Sequence, residues 1–415
     1  MAKEKTKSAV IILLIIALIG LVYLTVSKGI LSSPVNSVFS GNKNSYFELW
    51  QRFDLPESRN VLLPDKIAFT NGDEFFGVQY DTAHKKQIFD KLLPIYFQAL
   101  ENLSEIQRIN GITFSEYTGV YFDFLGNIPI ELVAGRSYEP DFTVRKVFFN
   151  MQATQITIYF KNDYGDTFSA KTNINSESLG ALIRGLSAYP AFWGLENLPE
   201  DNLFIDEDIA VSLESSSIFG SNERINQATY SQISTAFFNT SAIPGFFIDK
   251  ENARVYVSEE GTLRVSQSGK IEFSCGKDGT GISLPASGNN SISGYVGFAK
   301  SIIEDCAKKP GDNTSYYLID CISDGGKKTI NFGLAYNGVP LIRENKITNY
   351  CTVVFDGDII TDFIIIIKKY TSAEAGFILP FRLAIGAVNE NPELLELSIG
   401  YFETETLCLA KWYLR

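Results

Sequence analysis

FIDKENARVYVSEEGTLRVSQSGKIEF, residues 247–273, reads as three short strands and the turns that join them. Arg254–Val257, Thr262–Val265 and Lys270–Phe273 carry the β-branched and aromatic residues that fit a pleated surface. Glu259-Glu260-Gly261 and Ser268-Gly269 are the turns between them. Connections this short make neighbouring strands antiparallel. A helix precedes the stretch over Asn222–Phe238, with Ile225, Tyr230, Ile233, Phe237 and Phe238 on its apolar side. Helix followed by antiparallel meander is an α+β pattern.

Both flanks repeat the pattern. Upstream, Lys66–Tyr80 carries the hairpin signal Asn71-Gly72, and Thr82–Ile109 has the spacing of a helix, with Pro94 inside it. Thr113 and Glu116 have capping-box spacing, and Gly119–Leu125 reads as a strand closed by Gly126 and Pro129. Strands follow at Lys146–Met151, Gln155–Phe160 and Thr167–Lys171; Ser176 is placed to cap the next helix, and Leu203–Leu213 looks extended. Downstream, Ser293–Lys308 reads as a helix. Hairpins turn at Asp324-Gly325-Gly326 and Asp356-Gly357, the second joining Ile347–Phe355 to Ile359–Tyr370. Leu394–Tyr401 and Thr406–Leu414 end the chain as strands. This divides the body into three α+β domains with antiparallel sheets, at 28–145, 146–273 and 274–415.

The amino-terminal stretch has a different character. Ala9–Val26, AVIILLIIALIGLVYLTV, is an uncharged run of 18 residues. At about 1.5 Å of rise per residue it covers most of a bilayer core of about 30 Å. A single transmembrane helix is therefore expected over residues 8–27, after a cytoplasmic tail at 1–7 that holds Lys3, Lys5 and Lys7. No small-x-small cleavage site follows, so the run reads as an uncleaved anchor in the cell membrane with the body outside. Leu13, Ala17, Gly20 and Leu24 line one face of that helix and form a possible contact surface within the bilayer. Lys3, Lys5, Lys7 and Lys28 against Glu4 leave the first 28 residues at +3, so the remainder carries −15 of the net −12. An acidic body repels nucleic acid and favours a protein partner or plain solubility.

The residues offer no catalytic set. His84 is the one histidine and lies in a charged helix start, so it reads as a surface residue. No Ser-His-Asp system, zincin helix or phosphate loop is present, and no small-molecule substrate or cofactor is expected. Asp206-Glu207-Asp208 lacks the alternation of a calcium loop and reads as a solvated acidic loop, so no metal is expected. The five cysteines, Cys275, Cys306, Cys321, Cys351 and Cys408, have no C-x-x-C spacing and read mainly as small buried hydrophobes. The aromatic doublets Phe75-Phe76, Phe148-Phe149, Phe237-Phe238 and Phe246-Phe247 fill cores on both sides of a sheet, or anchor an interface where one member faces out.

The opening stretch resembles the YycH family, exterior regulators of the YycG (WalK) sensor histidine kinase. The resemblance lies in Asp249 with Val255-Tyr256, in Gly261-x-Leu263-Arg264, and in Gly269-x-Ile271-Glu272-Phe273. Phe122–Pro129 is similar to the family's first domain. Tyr336-Asn337-Gly338-Val339-Pro340 and Ile399-Gly400-Tyr401 with Trp412 are similar to the carboxyl-terminal part of YycH and of its relative YycI. The resemblance implies a non-enzymatic protein that binds the kinase beside a YycI-like protein, restrains its signalling, and so bears on cell-wall metabolism. The alternative is an exterior structural or envelope-assembly protein without a kinase partner.

Overall fold

Turn chemistry lays out the strands. Gly72 and Gly357 sit at φ 69° and 58°, a left-handed conformation that glycine adopts without a Cβ penalty, and each closes a hairpin. The computed structural model describes residues 64–134, 142–193, 203–220, 223–238, 245–276, 281–285, 291–307, 313–343, 348–373, 376–380, 383–384, 396–404 and 406–414. Residues 1–28, with the expected anchor and its face at Leu13, Ala17, Gly20 and Leu24, lie outside the described residues. Among the described residues no helix is long and apolar enough to cross a membrane.

The architecture is α+β, built on two large and almost wholly antiparallel sheets. The first contains β1 (Lys66–Asn71), β2 (Glu74–Val78), β3 (Gln107–Ile109), β4 (Gly119–Pro129), β5 (Thr143–Asn150), β6 (Gln155–Lys161), β7 (Thr167–Asn175), β8 (Tyr189–Trp193) and β9 (Leu203–Ile205). Their spatial order is β3-β7-β6-β5-β4-β1-β2-β8-β9. Helices α1 (Thr82–Glu101), α2 (Ile130–Ala134) and α3 (Ser176–Ile183) belong to this half of the chain.

The second sheet contains β10 (Ser212–Ser217), β11 (Phe246–Ile248), β12 (Arg254–Val257), β13 (Gly261–Val265), β14 (Lys270–Cys275), β15 (Ile282–Ser283), β16 (Thr314–Asp324), β17 (Lys327–Tyr336), β18 (Val339–Ile342), β19 (Asn349–Asp356), β20 (Ile359–Ile366), β21 (Lys368–Ala373), β22 (Leu397–Glu403) and β23 (Leu407–Leu414). Its path is β11-β12-β13-β14-β20-β19-β17-β18-β22-β23-β10-β21, with β15 on β20 and β16 on β17. The β18–β22 ladder is parallel. Helices α4 (Glu223–Phe238) and α5 (Ile292–Ala307) pack on one face of this sheet. The expected boundaries at 145/146 and 273/274 fall inside β5 and β14.

Both sheets bury aromatic side chains. In the first, Tyr96 of α1 stacks on Phe149 with ring centroids 5.5 Å apart and meets Phe122 edge-on at 5.1 Å. On the opposite face, Phe148 stacks on Phe114 at 5.1 Å beside Tyr121. The doublet Phe148-Phe149 thus fills a core on each side of β5. In the second sheet, Phe237 of α4 packs on Phe273 and Phe363, and Tyr295 of α5 packs on Phe355. The two sheets meet where β4 passes β16. A Cβ on Gly126 would lie 2.2 Å from the carbonyl oxygen of Leu318 and 2.4 Å from that of Ile319.

Several local expectations are corrected. The helix from Thr82 ends at Glu101, and Gln107–Ile109 is a strand. Ser104 exchanges hydrogen bonds with the backbone of Lys171 and draws the chain to the edge of β7. The strand from Gly119 continues through Gly126 to Pro129, with a register shift between Asp123 and Ile128. The capping-box spacing at Thr113 yields one 3₁₀ turn without a side-chain cap. Asn175, not Ser176, caps α3: its carboxamide oxygen accepts from Glu177 N–H, while Ser176 donates to the carbonyl of Ala153. The strand expected over Ile359–Tyr370 breaks at Ile367, so that β20 pairs with β14 and β21 with β10.

Candidate interaction surface

Two constructions organise the body: a buried polar joint and an exposed edge. The joint begins at Asp206-Glu207-Asp208. Glu207 is not simply solvated: its carboxylate accepts the backbone N–H groups of Gln79 at 2.8 Å, Tyr80 at 2.9 Å and Asp81. Consecutive amides at a helix entrance form an anion-binding concavity, and a side chain of this chain fills it. Beside it, Lys85 donates to the carbonyls of Asp65 and Gln79, each at 2.6 Å. Burial lowers the Lys85 ammonium from its ordinary range, with Asp65 and Glu207 opposing. The Tyr336–Pro340 turn closes over this point, because a Cβ on Gly338 would lie 2.9 Å from the carbonyl oxygen of Gln79.

Arg145 of β5 forms the rest of the joint. Its guanidinium lies 3.2 Å from Asp123, 2.8 Å from Asp163 and 2.7 Å from Glu396, and Lys146 lies 3.3 Å from Glu396. The approaches to Asp123 Oδ1 and Glu396 Oε2 are ion-pair contacts, not well-directed hydrogen bonds. Burial opposes the Arg145 charge, but Asp123, Glu396 and Asp163 outweigh it and hold its pKa above the ordinary value. Asp123 and Arg145 sit on the first sheet, and Glu396 immediately precedes β22 of the second.

The exposed edge is β11, the terminal strand of the meander that runs to Phe273. Asp249 organises its first turn: the carboxylate accepts the N–H groups of Glu251 and Ala253, each at 2.9 Å, and the Arg264 guanidinium at 2.7 Å. Those bonds, with Ala253 N–H first and Arg264 next, hold the Asp249 carboxyl below its ordinary range. Arg264 also reaches Glu272 at 2.9 Å, and Glu251. One chain of ion pairs therefore crosses β13 and β14 on a single face. Gly269 is required at its turn: φ is 91°, and a Cβ would lie 2.0 Å from the carbonyl oxygen of Ile367. On the opposite face, Arg254 lies between the rings of Tyr230 at 3.9 Å and Phe246 at 4.6 Å and so fastens β11 to α4.

This construction leaves apolar surface in solvent. Phe246, Phe247 and Ile248 are 45%, 56% and 51% exposed, and Val257 is 57% exposed. Ile322 and Ile364 extend apolar exposure across the face of the sheet that carries Arg264 and Glu272. Phe246-Phe247 is thus the aromatic doublet with both rings exposed, whereas Phe148-Phe149 and Phe237-Phe238 are buried. The doublet signal was in the sequence. What it lacked was the position of β11 at the end of the sheet.

The remaining candidates have ordinary settings. His84 contacts the Ser187 carbonyl at 2.8 Å and packs edge-on against Tyr189. No two of the five cysteines are joined; Cys306, Cys351 and Cys408 are buried. Among the described residues no group of three or more His, Cys, Asp or Glu is arranged to hold a metal ion. A groove of about 1080 Å³ between α4 and α5 is lined by Phe237, Phe298, Ile302, Glu304 and Asp305 among others.

No protein-family model matches the chain, and no curated protein matches its sequence. Among solved structures, YycH from Bacillus subtilis aligns over 87% of this chain and 95% of that chain, with 14% identity and a TM-score of 0.48. The dehydratase domain from the CurK module of Curacin polyketide synthase aligns over 76% of this chain and 98% of that one, with 10% identity and a TM-score of 0.13.

Proposed function

We propose that this protein is a membrane-anchored extracytoplasmic regulator that acts by binding, not turnover. Its partner is a sensor histidine kinase of the YycG type, engaged beside a YycI-like protein at the cell membrane. The body modulates that kinase in the direction of restraint, and through it cell-wall metabolism. One observation carries the reading. The motif residues that resemble the YycH family are joined in one construction: Asp249, Arg264 and Glu272 form one ion-pair chain, with Gly269 closing the adjoining turn. The apolar run at Ala9–Val26 supports the anchored topology. Regulation by binding requires only that the body favour one of two kinase states over the other.

The test is affinity capture of the intact protein from native membranes after mild crosslinking. The expected result is a histidine kinase recovered together with a YycI-like protein. Recovery of wall or division proteins without any histidine kinase would replace this reading with that of an envelope-assembly protein. In the same assay, Gly20→Leu is expected to weaken kinase recovery while the exterior fold is unchanged; unchanged recovery removes the bilayer contact.

A further inference from the structure

We propose that β11 is a docking edge for an extended segment of another protein, one with apolar side chains alternating along a strand and basic residues at its flanks. The inference goes beyond the regulatory reading and stands or falls on the edge itself.

The first ground is contrast among the sheet ends. Four strands terminate the two sheet paths. The end at β21, KKYTSA, carries the exposed Lys369, and that at β3 carries Gln107 and Arg108. Leu203 and Phe204 of β9 are buried. Among the described strands at these four ends, only β11 is both wholly apolar and exposed along its length, without the charge or proline that ordinarily blunts an edge.

The second ground is the backbone. Asp249 N–H donates to the Ala253 carbonyl at 3.0 Å, which makes that pair a bonded one. Bonded and non-bonded pairs alternate along an antiparallel ladder. In the register Phe246↔Tyr256, Phe247↔Val255, Ile248↔Arg254, the bonded pair inside β11 is therefore Phe247–Val255. The amides and carbonyls of Phe246 and Ile248 point away from β12, where an added strand would meet them. Side chains alternate to match: Phe246 and Ile248 present one face, and Phe247 with Val257 presents the other. Arg254 and Asp249 already hold the strand, so little ordering remains for binding to impose.

The third ground, charge, selects the occupant. Asp249 and Glu251 stand at one end of the β11–β12 hairpin, and Glu259 and Glu260 at the other. Arg264 already pairs with Asp249 and Glu251, so the acids not paired with it are Glu259 and Glu260; counted against Lys250, Arg254 and Arg264, the four acids leave a net −1, on a chain of −12. Arg254 is further enclosed by Tyr230 and Phe246. A second copy of this chain would bring like charge to the same edge, whereas a strand with lysine or arginine at its flanks complements it.

The test titrates the full chain in detergent with two fluorescent peptides, Lys-Lys-Val-Thr-Val-Thr-Val-Lys-Lys and the same core flanked by glutamates, read by anisotropy. Saturable binding of the basic peptide is expected, with the acidic one weaker by about tenfold or more. Ile248→Pro removes an outward amide and leaves the β12 ladder intact; it is expected to weaken the basic peptide by about tenfold at an unchanged circular dichroism spectrum. Should that variant unfold, Glu251→Lys with Glu259→Lys decides: the basic peptide loses affinity and the acidic one gains it. No saturable binding, or binding indifferent to these substitutions, overturns the proposal. So does a dimer in sedimentation equilibrium that Ile248→Pro dissociates, because a second copy then owns the edge.

Discussion

Arg145→Met removes the cation at the centre of the joint and keeps its aliphatic volume. The Arg145 side chain is 8% exposed, and those of Asp123 and Glu396 are 4% and 8% exposed. Asp163, at 32%, can recover hydration and contributes little to the loss. Glu396 retains Lys146 at 3.3 Å, and Asp123 retains the Tyr121 hydroxyl at 3.1 Å. Breaking a buried pair costs about 3–5 kcal/mol, and these residual partners place the variant near the lower end, about 3 kcal/mol at pH 7. The loss has a sign with pH. A buried carboxylate stripped of its cation has a folded-state pKa above its unfolded value of about 4. Its folded form then binds more protons, so the penalty is full at pH 7 and relaxes as pH falls through the raised value toward 4. Urea unfolding of the full chain followed by tryptophan fluorescence at pH 7 and pH 5 measures both quantities. A cost below about 1 kcal/mol at pH 7, or one that is the same at both pH values, would refute the argument that these carboxylates depend on Arg145.

Three further outcomes follow from single contacts. Glu207→Ala leaves three amides at the entrance of α1 without their carboxylate and should cost about 1–3 kcal/mol, measured by the same unfolding curves. Gly269→Ala combines a φ of 91° with a 2.0 Å approach to a carbonyl oxygen; a loss of about 1–3 kcal/mol is expected, together with faster hydrogen exchange at Ile367, whose N–H donates to Gly269. Burial pushes the Cys408 thiol up to about 12 and raises those of Cys306 and Cys351, so iodoacetamide should leave these three unmodified in the native protein and reach all five cysteines only after unfolding, read by intact mass.

The hairpins were legible because their chemistry is local: Asn71-Gly72, Asp324-Gly325-Gly326 and Asp356-Gly357 each turn where the sequence places them. The meander over Arg254–Phe273 was legible for the same reason. The features that were not legible depend on distant partners. Nothing near Glu207 says that amides 79–81 await it, and nothing near Gly126 announces the backbone of β16. Ser104 ended a helix that periodicity alone would extend, because its partner Lys171 is 67 residues away. Of the edge, Phe246-Phe247 could be singled out as a doublet, but exposure of both rings is a property of sheet order.

The place of β10 has a consequence for how the chain is made. It lies between β21 and β23, so Ser212 meets Ala373, 161 residues later in synthesis, and Leu409 later still. At roughly 5–20 residues per second the strand waits about 10–30 seconds with both sides of its backbone unpaired. A waiting strand of ordinary apolar composition would be a seed for aggregation. The sequence of β10 is SLESSS, with four serines, a glutamate and one leucine. It can remain in water until the last strands arrive, and the second sheet then closes around it as a late, vectorial step.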